Sequence, residues 1–567
     1  MTEQEAQLAS PLLRRVWMLG AWDSGVGGDA DAFKTLVGKT PAEAADDLIG
    51  LSTGIAPVFA HVGSAWRLID TAATFGSLAK DVTQSDLQGL ELVMQQVLGA
   101  VDPRLDLPRQ DRWRANLDGK ARAHSSDLRK GLARTLAVFG ASERDDETSS
   151  TVSLSGWSEL IVRALLQRAN EDPTGKLWES LFDVLSILAE AAPDVFIDAL
   201  SVAIGSEGVL TDKLFTDDDT GIFSQTSPHT YVLWALERIA WSPEHFGAVM
   251  RQMKRLATLD PGGKTANRPL ASLAGVLSSW HPQTGATLKS RITVLRAIAG
   301  KGSDLDWKIL LALTPDSHAW AIDSGGPEFR DWKSNAEARK VTMQDLFEFV
   351  TEVVNLSIQA AEQLPVRYAD LIEKLDDMPA EHRDKILDSL RGIRDEAVTE
   401  EMRDIVWNRL GELIRRHREF ADADWSLPAR DLDGLEELRN HFVPSSPVPK
   451  VAWLFSAMPE LGNVKYTDDH EAYQTELARL RLDAITQVIE VEGKSGLTEL
   501  AGLADAPHTV GYSAASSGLL DDELEHFAAL MVDESAKVVS FSSAFVGVLL
   551  SVELIAKWRC SVIAPWR

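Results

Sequence analysis

The chain has 567 residues, 45% of them hydrophobic and 25% charged, and a formal net charge of −28. It is too long for one compact core and too apolar to be disordered, so several domains or an extended array are expected. The acidity excludes general binding to nucleic acid or anionic membrane, which needs a basic footprint; the single cysteine, Cys560, excludes an internal disulfide and a multi-thiolate metal centre.

Met1 to Glu5 carries no basic-then-apolar secretion signal. With the lone cysteine, this sets the expectation of a cytoplasmic protein. Leu12, Leu13, Val16 and Leu19 predict a first helix, followed by a Gly- and Asp-rich turn over 23–31. That turn lacks the ligand ladder of a calcium loop. Thr40-Pro41-Ala42-Glu43 reads as a helix start. Residues 63–100 read as helices carrying Trp66, Leu68, Ile69 and Phe75, then Leu87, Leu90, Met94 and Val97.

Residues 101–140 are the most basic part, with Arg104, Arg109, Arg112, Arg114, Lys120, Arg122, Arg129, Lys130 and Arg134. One reading is a solvated surface whose arginines pair with interleaved acids. The sharper one is an anion or acidic-partner site built on Arg112, Arg114 and Arg122. Ser125-Ser126-Asp127 starts a helix with Leu128, Leu132, Leu136 and Phe139 inward, and 141–152 reads as a polar linker.

Beyond the linker, helices follow in pairs. Trp157, Leu160, Ile161, Ala164 and Leu165 mark one; Leu181, Val184, Leu185 and Leu188 mark the next. Ala192-Pro193-Asp194-Val195-Phe196 returns about fifty residues later as Ser242-Pro243-Glu244-His245-Phe246. That spacing is near the ~40–47 residues of HEAT and armadillo repeats. Val232, Leu233, Leu236 and Ile239 form one stripe; Phe246, Val249, Met250, Met253 and Leu256 form another.

Between them and the next helices lies Asp260-Pro261-Gly262-Gly263-Lys264-Thr265-Ala266-Asn267-Arg268-Pro269. Gly263-Lys264-Thr265 ends like a phosphate-binding loop, but Thr258 stands where that motif needs its first glycine, and a helix rather than a strand precedes it. A structural turn is the reading, with Lys264, Asn267 and Arg268 as candidates for partner contact. Leu273, Val276, Leu277 and Trp280, then Leu288, Ile292, Leu295 and Ala299, continue the array.

Residues 316–335 form a polar loop in which Trp332 is a further recognition candidate. Thr342 with Asp345 caps a helix, and more helices follow over 366–376, 379–393, 398–419 and 470–492, with a proline-rich connection over 444–449. Shorter helices run from 496 to 558. Val538 to Val552 falls short of the ~20 residues of a membrane span, so a buried helix is expected and no membrane partner. No β-sheet is predicted. The fold class is all-α, a HEAT/armadillo-like α-solenoid of stacked helix pairs, divided as 1–150, 151–320 and 321–567.

Chemistry is sparse. No histidine pair has metal-ligand spacing, and His417 and His441 read as surface groups. Asp217-Asp218-Asp219 reads as a solvated loop, Asp376-Asp377 as helix capping, and no nucleophile elbow occurs. No cofactor or metal is assigned. Trp157, Trp234, Trp280 and Trp307 fall at inward helical positions, whereas Trp332 and Trp425 fall in loops.

The runs Val232–Glu244, Leu259–Leu270, Trp280–Thr284, Ser186–Pro193 and Pro447–Phe455 resemble a helical region of large bacterial proteins similar to STAND-type sensors of phage defence. The resemblance covers most of residues 10–550. It implies a non-catalytic helical sensor or scaffold whose partners are an NTPase module or a phage-derived ligand. The family's NTPase motif has no counterpart here, so ATP hydrolysis is assigned to no residue. Lys557 to Arg567 shows no helical stripe, and a truncated or split gene product is the expectation. A hydrolase with an acidic cleft between helices, and an inactive remnant, are the alternatives.

Overall fold

The computed structural model describes residues 10–53, 56–142, 153–216, 227–316, 325–337 and 340–563, the side chains of 552–563 excepted. The acidic run Asp217–Asp219 and all of the expected linker except Ala141 and Ser142 lie outside them. The chain forms two compact units, one of Met1–Leu313 with Ala319–Val353, the other of Thr314–His318 with Val354–Arg567. Helices dominate both.

The first unit opens with Leu13–Val16 and a tight turn at Trp17–Leu19, then strand β1 (Ala21–Asp23). Helix α1 starts at Gly27 and runs to Val37, so the expected turn over 23–31 is shorter than its composition implied. Asp29 is the reason. Its buried carboxylate accepts from the Asp23 and Ser125 amides, which pulls it into the helix and the core. After α2 (Ala45–Ser52) come strands β2 (Phe59–Val62) and β3 (Ala65–Leu68), in an antiparallel sheet of order β1-β3-β2.

This sheet corrects the helical reading of Trp66 and Leu68. Gly63, at φ 62°, and Ser64 close a two-residue hairpin, a backbone that suits the twist of paired strands. Trp22, Trp66 and His61 are direct partners across the three strands, and their rings form a row. Helix α3 (Gln84–Val97) carries a reciprocal cap between Thr83 and Asp86.

Helix α4 (Ser126–Ala141) is capped by Ser125 and buries Leu128, Leu132, Leu136 and Phe139. The array continues with α5 (Leu154–Glu171), α6 (Leu185–Ala191), α7 (Pro193–Ala203), α8 (His229–Ala240) and α9 (Phe246–Leu259). Next are α10 (Pro269–Leu277), α11 (Leu288–Ala299) and α12 (Asp304–Leu313). Packing is between near neighbours: α4 on α5 and α6, α5 on α7, α6 on α8, α8 on α9, α9 on α10 and α11. The stripes named for α8 and α9 are buried. Trp157 and Trp307 are buried as expected, but Trp234 and Trp280 are half-exposed. Trp234 lies on the outer side of α8 against Tyr231, and Trp280 falls beyond the last residue of α10, where helical spacing no longer applies.

Helix α13 (Met343–Gln363) is capped by Thr342 and Asp345 and crosses from the first unit into the second. The second unit holds α14 (Glu400–Glu419), α15 (Ala429–Asn440), and α16 (His470–Leu503), which kinks at Gly493 (φ 65°, ψ −149°). Helix α17 (Pro507–Ser516) packs on α16 and on α18 (Ala536–Ile563) around Phe455, Tyr473, Ile485, Phe527, Phe541 and Phe545. The helix reaches Ile563, into the tail that shows no stripe. No helix among the described residues is long and apolar enough to cross a membrane.

Candidate interaction site

The basic segment between α3 and α4 is tethered to the helices around it by ion pairs and hydrogen bonds. Asp102 starts a tight turn at Pro103–Asp106 by accepting from the Arg104 amide, and a second turn spans Arg109–Arg114. Arg122 donates to Asp102 (2.7 Å), Asp183 (2.8 Å) and the Ser180 carbonyl (3.1 Å). Arg129, buried on α4, donates to both oxygens of Asp183 and to the Val97 carbonyl. Burial pushes the Asp183 carboxyl upward, but bonds and charge from Arg129 and Arg122 outweigh it and hold the group below its ordinary range. Asp102 is lowered likewise, its burial overcome first by Arg104 and then by Arg122.

Nearer the surface, Asp106 is bridged by Lys176 and Lys120, whose hydrogen bonds bring its carboxyl down to about 2. Arg109 donates to the Thr216 carbonyl (2.5 Å), and Arg112 faces Glu179 at 3.5 Å. Arg114 pairs along its own turn with Asp111 and Asp118. Arg104, Arg114 and Lys120 therefore meet acids interleaved among them, whereas Arg112, Arg122 and Arg129 also reach Glu179 or Asp183 further along the chain. Two large apolar side chains are left outward among exposed polar ones: Trp113 is 80% exposed and Leu117 83% exposed.

The central loop lies close by in the network. Arg268 pairs with Asp260 and sits over the Phe215 ring (5.4 Å), the residue before Thr216. His229 stacks on the same ring and contacts the Asn267 carbonyl (2.8 Å). Phe215 and Thr216 thus link the basic segment to the 260–269 loop, whose exposed Gly262 and Gly263 have positive φ and whose Lys264 is exposed. Trp332 is placed elsewhere. It begins a short helix, Trp332–Glu337, half-buried under Arg330 (4.8 Å) and beside His245 (6.0 Å).

Sequence reasoning missed the residue that fixes that region. Glu190 is fully buried on α6, and its carboxylate accepts from Arg238 and from the consecutive amides of Glu328, Phe329 and Arg330. Arg330 returns two bonds, to the Glu190 and Gly140 carbonyls. No local motif reports a carboxylate whose partners lie about 140 residues away.

Two polar clusters invite a catalytic reading. Ser242 Oγ lies 2.7 Å from His245 Nδ1, whose Nε2 lies 3.2 Å from Asp194. Ser242 is only 2% exposed, whereas an acyl-transfer serine must present its oxygen to substrate, and the Asp194 side chain is 78% exposed. The cluster is instead the joint between the two repeated pentapeptides: the acid of the first copy meets the histidine of the second. The other is His417, expected at the surface but only 1% exposed. Its Nδ1 accepts the Leu427 amide (3.0 Å), so its Nε2 carries the proton and donates to Asp376 (2.7 Å). Both ring nitrogens are occupied in holding the fold, and Asp376 serves this contact rather than a helix cap. Among the described residues no three His, Cys, Asp or Glu side chains converge as a metal ion requires.

No family model and no curated protein matches the chain. Solved structures align over long stretches at low similarity. An engineered protein is 15% identical, with 75% of this chain and 96% of the other covered and a TM-score of 0.21. A structure from a study of the cadherin–β-catenin interaction is 12% identical, with 91% and 96% covered and a TM-score of 0.19. A SYS-1/POP-1 complex is 12% identical, with 84% and 88% covered and a TM-score of 0.21. Such scores carry no argument about function.

Proposed function

We propose that this protein is a non-catalytic helical-repeat scaffold of HEAT/armadillo-like stacking that binds a protein partner through the basic segment. One observation carries the reading. Buried Asp102 and Arg129, with half-buried Asp183 and Arg122, hold the segment in place, and that segment displays Trp113 and Leu117 to solvent. A rigid, exposed aromatic beside arginines is how binding hot spots are built, because little entropy is lost on docking. The resemblance to STAND-type sensors extends the proposal: the partner is an NTPase module or a phage-derived protein, captured by the cytoplasmic chain.

The test is site-directed photocrosslinking in the native cell, with the reactive group at Asn116. One dominant adduct, lost in a Trp113→Ala, Leu117→Ala chain of unchanged melting temperature, is the expected result. Each anchor should contribute about 2 kcal/mol to binding. An adduct indifferent to both substitutions rejects the surface, and an adduct with a P-loop protein supports the STAND-like extension. Arg114→Glu is a cleaner charge probe than Arg112→Glu, because Arg114 pairs with Asp111 and Asp118 close by in the chain whereas Arg112 faces Glu179 on a helix.

A further inference from the structure

Helix α14 brings Trp407, Gly411 and Arg415 to one face, because they recur at four-residue steps. Two arginines there sit over tryptophan rings: Arg439 of α15 over Trp407, and Arg415 over Trp453, each 3.7 Å from the ring centre. Trp453 belongs to the turn Ala452–Phe455. Gly411 lets the two guanidinium groups converge. A Cβ there would stand 2.8 Å from Arg439 Nη2 and 2.9 Å from Arg415 Nη1, so both forks close over bare backbone and are neighbours of each other. Glycine inside a helix costs stability relative to alanine, and here it makes room for both charges.

Two cations held this close repel each other unless an anion lies between them. Among the described residues no carboxylate lies within ion-pair distance of Arg415 or Arg439, and the pair's hydrogen bond to protein runs from Arg439 Nε to the Trp407 carbonyl (3.0 Å). The nearby acids are committed elsewhere. Glu412 pairs with Arg409 and Arg416, and Glu436 pairs with Arg418. Burial pushes the Glu460 carboxyl up in spite of Arg416, which makes it a weak counter-ion. Burial, and then the neighbouring Arg439, bring Arg415 down to about 10; burial brings Arg439 to about 10 as well, so both stay charged at neutral pH. Both side chains are half-buried, and none of their unmet nitrogens is sealed from solvent.

We propose that Arg415 and Arg439 form a binding site for a phosphate group, free or carried by a larger molecule. A guanidinium fork donates two parallel bonds to an oxyanion, and stacking on tryptophan steadies each fork without using those donors. The charge favours phosphate over carboxylate. A phosphate monoester carries about −1.5 to −2 at neutral pH and offers three oxygens, enough to engage both forks. One carboxylate balances only one of them. This site lies in the second unit, and its failure would leave the Trp113 surface untouched.

The test is calorimetric titration of the full chain with inorganic phosphate at fixed ionic strength. Saturable one-to-one binding with a Kd of about 1 mM or tighter is expected. Arg415→Gln should weaken it about tenfold or more, since it removes charged hydrogen bonds to the ligand and breaks none within the protein. Gly411→Ala should weaken it likewise by forcing the forks apart, while the melting temperature stays level or rises, because alanine favours the helix. Arg479→Gln, at an exposed arginine already paired with Glu476 and Asp483, should leave binding unchanged. Tighter binding of O-phosphoserine than of the free ion supports the site with a phosphorylated protein as the source; the reverse supports it with free phosphate. No saturation by about 10 mM phosphate, an affinity unchanged in both Arg415→Gln and Gly411→Ala, or acetate bound as tightly as phosphate overturns the proposal.

Discussion

Asp183 shows how single side chains organise this protein. It receives Arg129 from α4 and Arg122 from the basic segment, so removing its charge takes the carboxylate from Arg129 and leaves Arg122 with Asp102. Breaking a buried pair on one side costs about 3–5 kcal/mol. Because Asp183 keeps some solvent exposure, Asp183→Asn should destabilise the first unit by about 3 kcal/mol in urea unfolding. The pH dependence follows from the direction of the shift. The folded carboxyl titrates below its unfolded value of about 3.9, so its contribution is complete above that pH and is lost as pH falls through the folded value. Asp183→Asn should therefore flatten the acid limb of a stability–pH curve below about pH 4. Glu237 is the opposite case. Burial raises its carboxyl, only partly offset by the bond with Ser272, so ionisation at neutral pH works against folding. Glu237→Gln keeps a bonding partner for Ser272 and removes that penalty. A raised melting temperature at pH 7, with no change at low pH where both states are protonated, is the expected outcome.

At the scale of elements, helix contacts are set by missing side chains as much as by present ones. A Cβ on Gly140 would stand 2.0 Å from the Ala191 carbonyl oxygen, and one on Gly131 would stand 2.3 Å from that of Leu19. Helix α4 therefore touches α6 at one end and the chain entering β1 at the other, backbone to backbone. Gly140→Ala must push α6 aside and disturb the Glu190 anchor beside it, since Arg330 bonds both Gly140 and Glu190. A loss of about 3 kcal/mol, read by urea unfolding, is expected from overpacking at a site with backbone on the far side. The helices themselves were legible, because Leu128, Leu132, Leu136 and Phe139, or Phe246, Val249, Met250 and Met253, record which face is buried. The sheet was not. Its strands are only three or four residues long, too short for alternation to show, and Trp66 and Leu68 also suit a helix stripe. The Gly63-Ser64 pair was its one local signal. In the basic segment the excess of arginine was visible, but which arginine turns inward depends on Asp183, a partner that only folding supplies. The display of Trp113 and Leu117 was hidden for the same reason.

The whole chain carries two separately packed cores, and this is open to a direct thermal test. In the first unit, charge anchors such as buried Glu190 and half-buried Asp183 tie loops to a helix array. In the second, Phe527, Phe541 and Phe545 form an aromatic centre, with ring centroids 4.5 to 6.4 Å apart, between α18 and the segment before it. A unit with its own core unfolds as its own cooperative block. Calorimetry should therefore show two transitions. Gly140→Ala should lower one of them and leave the other, whereas Phe541→Ala, a cavity worth about 3–5 kcal/mol, should lower only the second unit's. The boundary between the units falls between Val353 and Val354, within helix α13. A proline in place of Ser357, which is fully buried there, would break the helical ladder in the second unit's share at a cost of about 3 kcal/mol or more. If the two blocks are thermodynamically independent, that substitution lowers the second unit's transition alone. If α13 couples them, both transitions move together, and the size of the common shift measures how strongly occupancy of a surface on one unit would be felt in the other.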